Sequence, residues 1–128
     1  MQKASELTEQ EVVVEYCDLR DIPIVHIPNE GKRSASYGAQ MKRIGMRKGF
    51  PDLFVPLPRR GYHGFFIEMK ALKGKLSTDQ RMWLLRLKNA GYATAVCYGA
   101  DDAIKLLDKY MEVERDEQKQ DFLQVECS

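Results

Sequence analysis

The sequence predicts an α/β fold with a mixed central sheet flanked by helices. Three observations predict it. Short runs rich in β-formers recur between proline and glycine breaks, at 22–27, 52–56, 65–69 and 92–98. The second and third are joined by a connector too short for a helix, so they pair most simply as antiparallel neighbours. The third and fourth are joined through a helical segment, and a strand–helix–strand crossover makes that pair parallel.

The elements follow in order. A helix is expected over 5–19, with Ser5 as its cap and Glu6, Glu9 and Glu11 in its first turns, where the dipole favours negative charge. Leu7, Val12, Val14, Tyr16 and Leu19 supply its apolar surface, although the triple valine 12–14 blurs the period. The next strand, 22–27, carries Pro23 at its start, tolerable there or on a sheet edge, and Pro28-Asn29-Glu30-Gly31 ends it. A short helix over 34–44 would turn Ala35, Ala39, Met41 and Ile44 inward and Lys42 and Arg43 outward. Gly45 and Gly49 bracket Met46–Lys48, a spacing that suits either a turn or a close approach to phosphate. After the strand at 52–56, prolines and glycines make a loop with Arg59 and Arg60 at its tip. Ser77 and Gln80 match a capping box, and Gly91 is a natural stop for the helix between them. Met82, Trp83, Leu84, Leu85 and Leu87 give that helix a broad apolar face, which makes Trp83 a core residue rather than a base-stacking platform. Ala103, Ile104, Leu106, Leu107 and Tyr110 mark a last helix. The expected domain is 1–111, followed by an acidic tail or helix extension over 112–128.

The chain's 128 residues suffice for one domain with a real core. No apolar run nears the roughly 20 residues a membrane span needs, and no signal peptide opens the chain, so a soluble cytoplasmic protein without membrane contact is expected. Cys17, Cys97 and Cys127 are odd in number and far apart, which disfavours disulfides and zinc. His26 and His63 are too few for an imidazole-rich metal site.

Charge is unevenly placed. Between Gly31 and Lys75 stand eleven basic residues and two acids, a local excess of +9 in a chain whose net charge is +1. A basic middle between acidic ends is the footprint of a polyanion-binding face. The two acids are Asp52, opening one strand, and Glu68, closing the next, with Lys70 two residues on. Antiparallel pairing brings these three together in the layout of a divalent-metal phosphodiesterase site. Mg²⁺ or Mn²⁺ suits such a site, because these ions bind through one or two carboxylates plus substrate phosphate. Asp52, Glu68 and the backbone carbonyl of Met69 are the expected ligands. Lys70 either deprotonates the attacking water or stays charged and stabilises the phosphate.

Gly49-Phe50-Pro51-Asp52, then Phe66-Ile67-Glu68-Met69-Lys70, then Leu76-Ser77 with Gln80 and Trp83, together resemble the PD-(D/E)xK nuclease superfamily. Within it the pattern is similar to the VRR-NUC (virus-type replication-repair nuclease) domains. The turn from Pro28 to Arg33 and the segment 91–99 also look like that family, so the resemblance runs to about Met111. It implies an αβββαβ core, a Mg²⁺ or Mn²⁺ site and cleavage of branched DNA. Stand-alone phage-type members look like homodimeric Holliday-junction resolvases. Carried over, Asp52 and Glu68 match the metal-binding acids, Lys70 the catalytic lysine and Gln80 the helix glutamine near the site. Glu9 matches the first-helix acid, with Glu11 and Glu15 as rivals. Lys32, Arg33, Arg47, Lys48, Lys73 and Lys75 are the expected phosphate-holding residues. A flap or single-strand nuclease and a non-catalytic junction-binding module are the alternatives.

Overall fold

The computed structural model describes residues 6–28 and 34–112. Its elements are α1 (Glu6–Leu19), β1 (Val25–His26), α2 (Ala35–Arg43), β2 (Leu53–Val55), β3 (Phe65–Lys70), α3 (Thr78–Asn89), β4 (Ala93–Tyr98) and α4 (Ala100–Met111). This is the expected αβββαβ order with α2 inserted before β2 and α4 added at the end. The strands lie in the order β1-β2-β3-β4. β1–β2 and β2–β3 are antiparallel, whereas β3 and β4 run parallel with Phe65 opposite Ala93 and Lys70 opposite Tyr98. The sheet is therefore mixed, and the parallel pair is the one connected through a helix.

Alternation along the strands assigns the two faces. Leu53, Val55, Phe65, Ile67, Met69, Ala93, Ala95 and Cys97 form one buried cluster with Val13 and Cys17 of α1 and Ala103, Leu107 and Tyr110 of α4. The intervening residues face α3, where Val96 packs with Leu76 and Leu84. Phe54 and Phe66 stack on that side with ring centroids 4.3 Å apart. The catalytic candidates share this second face, because Asp52, Glu68 and Lys70 hold the same parity as Phe54 and Phe66.

Several expectations need correcting. α1 turns Val13 and Cys17 inward, four residues apart, while Leu7 and Leu19 are exposed. The first strand shrinks from 22–27 to Val25–His26, an exposed edge. α2 has no buried residue and Ile44 is exposed, so its expected inward face packs on nothing deep. In α3 only Leu84 of the apolar set is buried, Met82 and Leu85 being exposed and Trp83 half-buried. Arg60 is buried rather than standing at a loop tip, at a positive φ of 53°. No helix among the described residues is long and apolar enough to cross a membrane.

Ser77 and Gln80 form the expected capping box, with the Ser77 hydroxyl accepting from the Gln80 amide and the Gln80 side chain accepting from the Ser77 amide. Gly49 sits directly under this turn at φ +86°. A Cβ there would lie 2.7 Å from Asp79 backbone and side-chain carbons, so the approach of the chain to α3 requires glycine.

Candidate active site

The register that sets Leu53 opposite Ile67 brings Asp52 beside the end of β3. Its Oδ2 accepts a hydrogen bond from the backbone N–H of Met69 at 2.8 Å. A charge-assisted bond of this kind fixes the carboxylate against the strand. Glu68 is 2% exposed. Its Oε2 accepts from Nε2 of Gln80 at 3.1 Å. Oε1 of the same glutamine accepts both from the Ser77 backbone N–H at 2.8 Å and from Nζ of Lys70 at 3.3 Å. Gln80 thus ties three things together: the helix cap, the buried acid and the lysine. Because Glu68 and Lys70 are two residues apart on one strand, both point to α3, and a single helix side chain reaches both.

A buried carboxylate is costly unless it is paired or binds a metal. The described residues contain no group of three His, Cys, Asp or Glu side chains that could hold an ion. Two carboxylates and the Met69 carbonyl remain, all hard oxygen donors. That set fits Mg²⁺ or Mn²⁺, which bind through few protein oxygens and keep places for water and phosphate.

Glu9 makes a different contact from this trio. Its Oε1 accepts from the backbone N–H of Ala100 at 2.7 Å, closing the first turn of α4, where Gly99 offers no side-chain cap. Gly99, at φ +106°, leaves room for it, since a Cβ there would sit 3.1 Å from that oxygen. The rivals Glu11 and Glu15 are exposed. Among the expected phosphate-holding residues, Arg47, Lys48, Lys73 and Lys75 are exposed, with the Arg47 guanidinium anchored on the Lys42 carbonyl at 2.9 Å. Lys32 and Arg33 lie outside the described residues, as does the tail beyond residue 112.

Sequence reasoning missed one group beside the site. Nδ1 of His26 lies 3.0 Å from the Asp52 carbonyl oxygen and 3.1 Å from Nε2 of Gln10. The same carbonyl accepts from the Ile27 N–H at 2.8 Å. One ring nitrogen either donates to that carbonyl or accepts from the Gln10 amide, so the Asp52 backbone is held from the end of β1, by the Ile27 N–H and by His26 in the tautomer protonated at Nδ1. The sequence carried no signal for it, because only the pairing of β1 with β2 places His26 beside residue 52.

A mixed four-stranded sheet with helices on both faces, its acids gathered where the antiparallel and parallel halves meet, is a nuclease-like α/β fold. The chain belongs to the VRR-NUC domain family, whose model matches residues 4–101. A solved structure of a VRR-NUC domain protein superposes with a TM-score of 0.74 at 28% sequence identity, covering 87% of this chain and 91% of its own. A search of curated proteins finds no match. Membership makes this a nuclease-type domain with DNA as its partner, in a family that generally uses divalent metals.

Proposed function

We propose that this chain hydrolyses phosphodiester bonds in branched DNA, with four-way junctions as substrate and a homodimer as the working form. The observation that carries the reading is the buried Glu68 wired through Gln80 to Lys70, on the sheet face that also carries Asp52. Asp52, Glu68 and the Met69 carbonyl would hold Mg²⁺ or Mn²⁺. When bound, such an ion neutralises phosphate charge and lowers the pKa of water at the site.

The chain's own residues do the rest. Gln80 fixes the Glu68 carboxylate in one orientation. It also directs Nζ of Lys70 to the same point, where the lysine either takes the proton of the attacking water or holds the phosphate. Glu9 anchors the first turn of α4 at the sheet end where Tyr98 pairs with Lys70, and so braces the site from the opposite face. Lys32, Arg33, Arg47, Lys48, Lys73 and Lys75 hold flanking phosphates without reading sequence. A two-fold dimer presents two such sites, one for each strand cut in a junction.

The test uses a labelled four-way junction and a linear duplex of the same sequence, each in Mg²⁺, Mn²⁺ or EDTA. Paired symmetric nicks on the junction are expected, absent in EDTA, and reduced at least about 10²-fold by Glu68→Gln. Metal-dependent cutting of flaps or single strands instead would keep the site and replace the substrate. Tight junction binding with no cutting in either metal would overturn the catalytic reading.

A further inference from the structure

Beside the acids lies a second feature that the hydrolysis does not use. A cavity of about 260 Å³ opens between Ile27, Met46, Phe50 and Trp83, with Arg47 at its rim. Drug-sized ligands occupy pockets of roughly 300–1,000 Å³, so this one is sized for a single ring system. Phe50 meets Phe66 edge-on at 5.4 Å and Trp83 at 5.1 Å, which holds its ring in place. The Arg86 guanidinium lies 5.1 Å from the Trp83 ring centroid. The walls are therefore preorganised aromatic surface.

Among the described residues no acid lines the cavity, and the segment leading to it carries Lys42, Arg43, Arg47 and Lys48. An aromatic slot with a cationic mouth is complementary to a base flanked by phosphates. Its position is as telling as its chemistry. Phe50 is two residues before Asp52, and Trp83 is one helical turn after Gln80, so the cavity adjoins the place where a scissile phosphate would sit.

We infer that this cavity receives one unstacked nucleobase of the DNA strand, next to the phosphate that is cut. The enzyme then favours substrates that offer an unpaired or easily unpaired base, because extruding a paired one costs stacking and pairing energy. The inference rests on the DNA-cleaving reading above for its occupant. An apolar side chain of a protein partner is the competing occupant, and the cationic mouth favours the nucleotide.

The chain's single tryptophan is the reporter. Three DNAs are titrated in EDTA, where no metal-dependent cleavage occurs: a duplex with one unpaired thymine, the same duplex with an abasic unit at that place, and the fully paired duplex. The thymine duplex should quench Trp83 and bind about tenfold more tightly than the abasic one, the size of a base–aromatic stack. Phe50→Leu, which keeps the site apolar, should bring the two to parity. A merely structural Phe50 would weaken all three DNAs equally. Equal wild-type affinity for all three with no change in Trp83 emission overturns the proposal, and this arm needs no variant. Full discrimination retained in Phe50→Leu also overturns it. Junction cleavage in Mg²⁺ alongside either of those results would sink the cavity's role alone. A base preference without any cleavage would sink the proposed reaction and leave the cavity.

Discussion

The wall formed by β3 and β4 under α3 contrasts with the short edge strand β1 and the exposed helix α2. Every residue of β3 except Lys70 is buried, and so is every residue of β4 except Tyr98. Both residues of β1, by contrast, are exposed and α2 buries none of its nine. Chemistry and charge divide along the same line. The buried acid and its glutamine stand on the wall, where packing fixes them, while Lys42, Arg43, Arg47 and Lys48 stand in or just beyond α2. A carboxylate that must hold one geometry needs a rigid, dry support. Cations that meet a phosphate backbone need only be present and reachable.

The largest effect should come from breaking the wall. Ile67→Ala removes a fully buried side chain next to Glu68 and should cost about 2–5 kcal/mol. Ile44→Ala, at the end of α2, should stay within about 0.5 kcal/mol. Urea denaturation of both variants measures the difference. Equal costs would mean that α2 packs more tightly than its exposure indicates.

A finer cut separates stability from chemistry within α3. Ser77→Ala and Gln80→Ala both open the capping box, each costing about 1 kcal/mol in a thermal melt. Only Gln80→Ala also releases Glu68 and Lys70. It should lower metal-dependent nicking by a further 10–100-fold or so, as losing a partner of a ligand does. Matched nicking rates in the two variants would reduce Gln80 to a helix cap.

This division also explains what was legible in the sequence. The wall was readable because its signals are local and redundant: alternating apolar runs, a capping box, and an acid at the rim of each strand. Pairing of Asp52 with the end of β3 followed from connector length alone. For β1 and α2 the elements were readable but their exposure was not, because α2 shows helical periodicity without depth to bury it in, and propensity alone does not say whether a face finds a partner. In α3, five apolar residues suggested a broad buried face, but one sheet face accommodates only a narrow stripe, so Met82 and Leu85 remain in water. Glu9 illustrates a different limit. Acid in a first helix turn has a local explanation, and only the tertiary contact with Ala100 shows a longer reach. His26 became meaningful only once β1 was registered against Asp52.

The mildest test asks how dry the wall is. Burial pushes the Cys97 thiol from 9.0 up to about 12, and Cys17, on α1 against the same core, from 9.0 up to about 11. Both shifts favour the neutral thiol in the folded chain. Below pH 9 folded and unfolded chains alike keep these protons, and the stability carried by the neutral thiols is whole. As pH rises from 9 towards 11 for Cys17 and 12 for Cys97, the unfolded chain has already released protons that the folded chain retains, so stability falls. Burial likewise raises Tyr110 to about 12, so it drains stability in an overlapping range. The thiol share is isolated by comparing wild type with Cys97→Val and Cys17→Ala. Each variant should show a shallower decline of its urea midpoint between pH 9 and 11 than wild type, even where its midpoint at pH 8 is lower. Site-resolved alkylation at pH 8 should leave both thiols unmodified until the chain unfolds. A Cys97 that alkylates in the native state would mean that water reaches the strand beside Met69, and the dry support inferred for Glu68 would fall with it.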